Sequence, residues 1–156
     1  MNIFVQAVIQ CVFAYLGTVA FAFIINVPRR ALNLGGWAGA IGWMVYWVLF
    51  KVGWSIVLAN LLGAFAIGVC ALVFARWRKM PVIVFTIPAL VPLVPGGTAY
   101  EAVRMFVLGQ TDAGIGYLAR VITVAGSIAV GFMLAQLVGD LTRHFPYRAR
   151  PGSTRH

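Results

Sequence analysis

The residues best suited to chemistry in this chain lie in one short stretch, Pro95-Gly96-Gly97-Thr98-Ala99-Tyr100-Glu101, with Arg104 three residues further on. Thr98 followed by Glu101 matches the capping box that opens a helix, Thr98 as cap and Glu101 reaching back. A helix opening there presents free N–H donors and about half a positive charge, which suits a carboxylate. Glu101 and Arg104, three apart, share one helical face. Two roles fit the pair. One is a local ion pair that shields each charge from lipid; in the other, Arg104 faces a substrate carboxylate while Glu101 exchanges a proton or meets an ammonium group. Pro95, Gly96, Gly97, Thr98, Tyr100, Glu101 and Arg104 are therefore the candidate substrate-binding residues. Asn26, Asn60 and Arg120 are secondary polar candidates, Arg120 being near enough to a span end to snorkel.

The elements that must position these residues are membrane helices. Hydrophobic residues make up 62% of the 156 and charged ones 10%, too little polar surface to cover a soluble domain. Charge-free stretches cover 1–28, 31–50, 52–75, 80–100 and 121–139, each near the roughly 20 residues that cross hydrocarbon. The expected fold is all-α and polytopic, with about five spans, the fourth broken by proline and glycine. The first stretch is read as a retained anchor rather than a cleaved leader, because no Lys or Arg precedes it. A transmembrane module over 1–142 and a basic tail over 143–156 complete the layout.

Within the fourth stretch, Pro81 suits a first helical turn. Pro88, Pro92 and Pro95 each cost on the order of 3 kcal/mol inside a regular helix. Irregular backbone at membrane depth survives only where protein covers it or water lines it. Transporters place such breaks near the bilayer middle to hold anionic groups.

The net charge of +9 raises the question of nucleic acid, and the positions of the charges answer against it. Arg29 and Arg30 follow the first span, Arg76, Arg78 and Lys79 the third, and Arg143, Arg148, Arg150 and Arg155 the fifth. Every odd span ends in a basic cluster, so the positive-inside rule puts the amino terminus outside and the carboxyl terminus in the cytoplasm. Orientation signals and attraction to anionic lipid together account for most of the charge; only Lys51, Arg104 and Arg120 fall elsewhere.

Gly35/Gly39 and Ala38/Gly42 in the second span, and Ser127, Gly131, Ala135 and Gly139 in the fifth, recur at four-residue spacing. Such small-residue stripes let helices approach closely. The fifth-span stripe needs a partner, either another span of this chain or another subunit, a second copy included. Trp37, Trp43, Tyr46, Trp47 and Trp54 read as interfacial anchors, and Cys11 and Cys70 as small buried hydrophobes. The only histidines, His144 and His156, lie in the tail and the three acids are scattered. With neither a metal-ligand cluster nor a nucleophile-base pair, an enzyme, a metal and a cofactor are not expected. No phosphate-loop signature supports an ATP-driven pump.

Two segments resemble the threonine/serine exporter family, in its short module corresponding to the carboxyl-terminal half of full-length exporters. They are Phe23-Ile24-Ile25-Asn26-Val27-Pro28-Arg29-Arg30-Ala31-Leu32, followed by the glycine-rich 35–43, and Ile87-Pro88-Ala89-Leu90-Val91-Pro92-Leu93-Val94-Pro95-Gly96-Gly97-Thr98-Ala99-Tyr100. The resemblance implies one part of a bacterial inner-membrane exporter of threonine and serine, or of succinate. It also implies a larger membrane subunit as partner and export driven by protons. The competing reading is a structural or regulatory subunit whose fifth-span stripe docks a partner that holds the whole substrate path.

Overall fold

The computed structural model describes residues 2–143, apart from the side chain of Arg143; the basic tail beyond lies outside the described residues. Six helices follow one another: α1 Ile3–Ile24, α2 Arg29–Lys51, α3 Ile56–Arg78, α4 Ile83–Leu90, α5 Gly96–Val107 and α6 Thr111–Arg143. Among the described residues there is no strand, as the composition led us to expect. Helices α1, α3 and α6 are long and apolar enough to cross a membrane. At 23 residues α2 has the length, but its glycines, its tryptophans and the Arg29-Arg30 pair dilute its apolarity. The fifth expected span is longer than the uncharged stretch suggested: α6 starts at Thr111 and carries Asp112 and Arg120 within its first three turns.

Glycine lets α2 sit among three neighbours. A Cβ on Gly36 would meet the Tyr15 ring and Val19 of α1, one on Gly39 would meet Thr18, and one on Gly42 would run into Ile67 of α3. Gly35 faces Pro88 of α4. Around this seam Ala38, Ala64, Ile67, Ala89, Leu93, Val124 and Ile128 form the larger buried cluster. The small-residue stripe of α6 finds its partner in the same chain. Ser127 is buried, Gly131 lies against the Leu61 carbonyl and Ala64, Ala135 against Gly68, and Gly139 against Leu72. With α3 filling the stripe, it is not free to dock a second subunit, and the competing reading loses the observation behind it.

Helices α1, α2, α3 and α5 all end in a residue with positive φ: Asn26 (61°), Gly53 (97°), Lys79 (53°) and Gly109 (75°). In each case the next N–H reaches back to a carbonyl five residues earlier, as in Val27 N–H to Ala22 O at 2.9 Å, which satisfies a helix-end acceptor. Helix α4 ends differently. It tolerates Pro88 but stops at Leu90, and residues 91–95 form tight turns, with Leu93 N–H donating to Leu90 O at 2.9 Å. Pro95, at φ −77° and ψ 49°, centres an inverse γ-turn closed by Gly96 N–H to Val94 O at 2.8 Å. Helix α5 therefore starts at Gly96, two residues before the expected Thr98 cap. Pro95 stands at the cap position, Thr98 makes no capping bond and Glu101 does not reach back. The turn supplies the helical geometry that the capping box was expected to supply.

The basic helix ends gather on one side. Ala31 at the start of α2 packs with Ala75 near the end of α3 and Phe85 of α4, and Arg76 donates to Gly139 O (3.0 Å) and Thr142 Oγ1 (2.9 Å) at the end of α6.

Candidate functional site

Where α2 ends, α3 begins and the α4–α5 turn crosses α6, a cavity of about 290 Å³ opens. Each helix gives it a pair of residues from one face: Trp43 and Tyr46 from α2, Ile56 and Asn60 from α3, Arg120 and Val124 from α6. The turn adds Pro92 through Pro95, then Gly97 and Thr98 at the start of α5. Buried Leu93 (4% exposed) wedges against Gly63 and anchors the turn in protein, which is what irregular backbone among apolar helices requires.

Three kinds of polar group converge here. The Arg120 guanidinium supplies a positive charge and also lines an adjoining hollow with Ala113, Gly116 and Tyr117. Gly97 and Thr98 occupy the first turn of α5, and among the described residues their N–H groups donate to no protein acceptor, as expected at a helix start. Asn60, 3% exposed, donates through Nδ2 to Ile56 O at 2.7 Å. No enclosed side-chain oxygen among the described residues lacks a partner, and Asn60 Oδ1 receives no protein donor, so that acceptor opens to the cavity. The Trp43 and Tyr46 rings, with centroids 5.1 Å apart, close the α2 side, and Trp43 Nε1–H is held by Gln10 Oε1 of α1 at 2.8 Å. The arrangement offers a cationic, donor-rich side and an acceptor-and-π side to one small solute.

Of the expected site residues, the cavity brings together Pro95, Gly97, Thr98, Asn60 and Arg120. Gly96 borders the same turn without lining the cavity. Tyr100, Glu101 and Arg104 do not line it: Arg104 Nη1 and Glu101 Oε2 pair with each other at 3.2 Å, with side chains 52% and 35% exposed. Asn26 is exposed and far from the cavity in sequence and place, holding the turn that ends α1. Trp43 and Tyr46 belong to the cavity, although the aromatic group as a whole was read as interfacial anchors. Their three-residue spacing was the available signal, since it sets them on one face apart from exposed Trp37 and Trp54. The cavity lies one turn from the start of α3 and about five turns from its basic end, hence toward one end of the bundle rather than halfway along it.

No solved structure matches this chain. A family model described as "Threonine/Serine exporter, ThrE" matches residues 10–138, from α1 through nearly all of α6 and across every residue that lines the cavity. On that match the chain belongs to the threonine/serine exporter family.

Proposed function

We propose that the chain is a small integral-membrane subunit of a secondary exporter and that the cavity beside the α4–α5 turn holds the solute. The carrying observation is the convergence of Arg120, the start of α5 at Gly97 and Thr98, and Asn60 on one half-open cavity, with Arg120 and Gly97 at its exposed side and Asn60 at its buried side. A carboxylate would sit between Arg120 and the start of α5, where a cation and helix-end donors reinforce each other. An ammonium group would meet Asn60 Oδ1 and the Trp43 and Tyr46 faces. That polarity favours threonine or serine over a dicarboxylate such as succinate, which would need a second cation. Arg120 takes the anchoring role first expected of Arg104. Glu101, held by Arg104, is the carboxylate placed to exchange the coupling proton.

In this reading the chain works in a bacterial inner membrane beside a larger membrane subunit, with its basic helix ends and the 143–156 tail in the cytoplasm. A neighbouring reading frame that encodes a larger protein of the same family would support the partnership; its absence would count against it. The decisive test is export of labelled threonine, serine and succinate by the reconstituted pair. Arg120→Gln is expected to lower carboxylate export at least about tenfold while the complex still assembles; undiminished export by the assembled variant overturns the site.

A further inference from the structure

At the opposite end of the bundle from the solute cavity, a hollow of about 450 Å³ lies between the end of α3 and the start of α4, lined by Leu72, Ala75, Arg76, Lys79, Met80, Pro81 and Val82. Its walls are apolar and its charged groups are both cations. Among the described residues neither Arg76 nor Lys79 pairs with a carboxylate. Arg76 is oriented by its Nη2 bonds to Gly139 O and Thr142 Oγ1, which leaves the remaining guanidinium donors uncommitted.

Lys79 adds an independent sign. Four described residues follow helices with positive φ, and three are Gly53, Gly109 and Asn26, the types for which this conformation is least costly. The fourth is Lys79, at φ 53°. The turn closes the end of α3 as at the other three helices, and here it does so with a long cation at a position where glycine would cost least. Beside it Arg78 stacks on exposed Trp77 at 5.1 Å, an amphipathic pairing found at headgroup level.

We propose that this hollow binds the phosphate headgroup of an anionic phospholipid. Lys79 and the free guanidinium edge of Arg76 contact the phosphate, and an acyl chain lies along Leu72, Met80 and Val82. Two cations over an apolar floor match a molecule with an anionic head and a hydrocarbon tail better than a freely soluble anion.

The test uses the purified full chain in neutral detergent, with thermal unfolding followed after adding phosphatidylglycerol, phosphatidylcholine or inorganic phosphate. Phosphatidylglycerol is expected to raise the midpoint by about 5 °C or more over phosphatidylcholine. Lys79→Asn removes the charge but tolerates positive φ, so it is expected to unfold no earlier than wild type in phosphatidylcholine and to lose at least half of the phosphatidylglycerol shift. Arg78→Gln, which removes a cation outside the hollow, is expected to keep that shift. An equal shift in Lys79→Asn and wild type overturns the site. Equal losses in Arg78→Gln and Lys79→Asn would reduce it to diffuse surface charge, and an equal response to inorganic phosphate would assign it to a soluble anion.

Discussion

The two parts of α6 are held by different means. From Ser127 to Gly139 its small residues press on α3 so closely that a side chain at Gly131 would enter the Leu61 carbonyl. From Thr111 to Arg120 its neighbour is α5, and α5 packs on α6 and on no other helix among the described residues. There the one tight glycine, Gly114, faces the Phe106 ring, a side chain able to turn. The outer face of this hairpin leaves Val103, Val107, Ile115 and Ile122 exposed, Val107 to 81%. Backbone-to-backbone contact fixes one part and side-chain contact alone supports the other, because small residues rather than bulky ones bring helices close in lipid. Arg120 and Val124 stand at the boundary, so the cavity is built where a fixed bundle meets a lightly held hairpin.

The largest effect that separates the parts is expected from Gly131→Leu. The obstruction is backbone and cannot rotate aside, so the variant should lose about 3 kcal/mol or more of stability, seen as early thermal unfolding in detergent. Gly114→Ala, its counterpart on the hairpin, should cost less than about 1 kcal/mol, because Phe106 swings away and alanine favours helix. Equal losses would erase the distinction between fixed and lightly held parts.

Next in size is the split between the two arginines. Arg120→Gln leaves the cavity without its cation, and export of labelled threonine should fall at least about tenfold, the loss of one charge-assisted hydrogen bond. Arg104→Gln removes the partner of an exposed ion pair, a contact worth about 0–1 kcal/mol, and should lower export less. A reversal of that order would return the substrate carboxylate to α5.

These contrasts also show where sequence was a sufficient guide. The stop in the fourth segment was legible because Pro92 and Pro95 lack the N–H groups that a helix needs there. The gathering of Arg29, Arg30, Arg76 and Arg78 was legible as alternation of basic clusters. The start of α5 was misplaced because Thr98 and Glu101 satisfy a local rule, whereas the geometry is set by the γ-turn at Pro95, which no spacing announces. Arg120 and Asn60 looked like scattered polar residues for a different reason. They are 60 positions apart and meet only because Gly131, Gly68 and their neighbours bring α6 onto α3. The same distance in sequence hid the partner of the small-residue stripe.

Asn26 gives a smaller effect that separates a turn from a site. Asn26→Gly keeps the positive φ and should change stability and export by little, whereas Asn26→Val forces a β-branched residue into that conformation and should cost about 1–2 kcal/mol. Parallel thermal unfolding and export measurements on both variants check this. Lost export in the glycine variant with stability intact would make the Asn26 amide part of the substrate path after all.

The smallest effect is expected five residues from the largest. Gly126 lies on the outer side of α6, where a Cβ meets nothing within 4 Å. Gly126→Ala should leave the isolated chain unchanged or stabilise it by up to about 1 kcal/mol, the difference in helix propensity. Because the added methyl group points away from α3, α5 and the cavity, it also reports on what covers that face in the membrane. If assembly with a larger subunit falls while the stability of the isolated chain holds, the outer side of α6 is a helix-docking face. If both are unchanged, lipid covers α6 there, and the partner is left to meet the exposed hairpin.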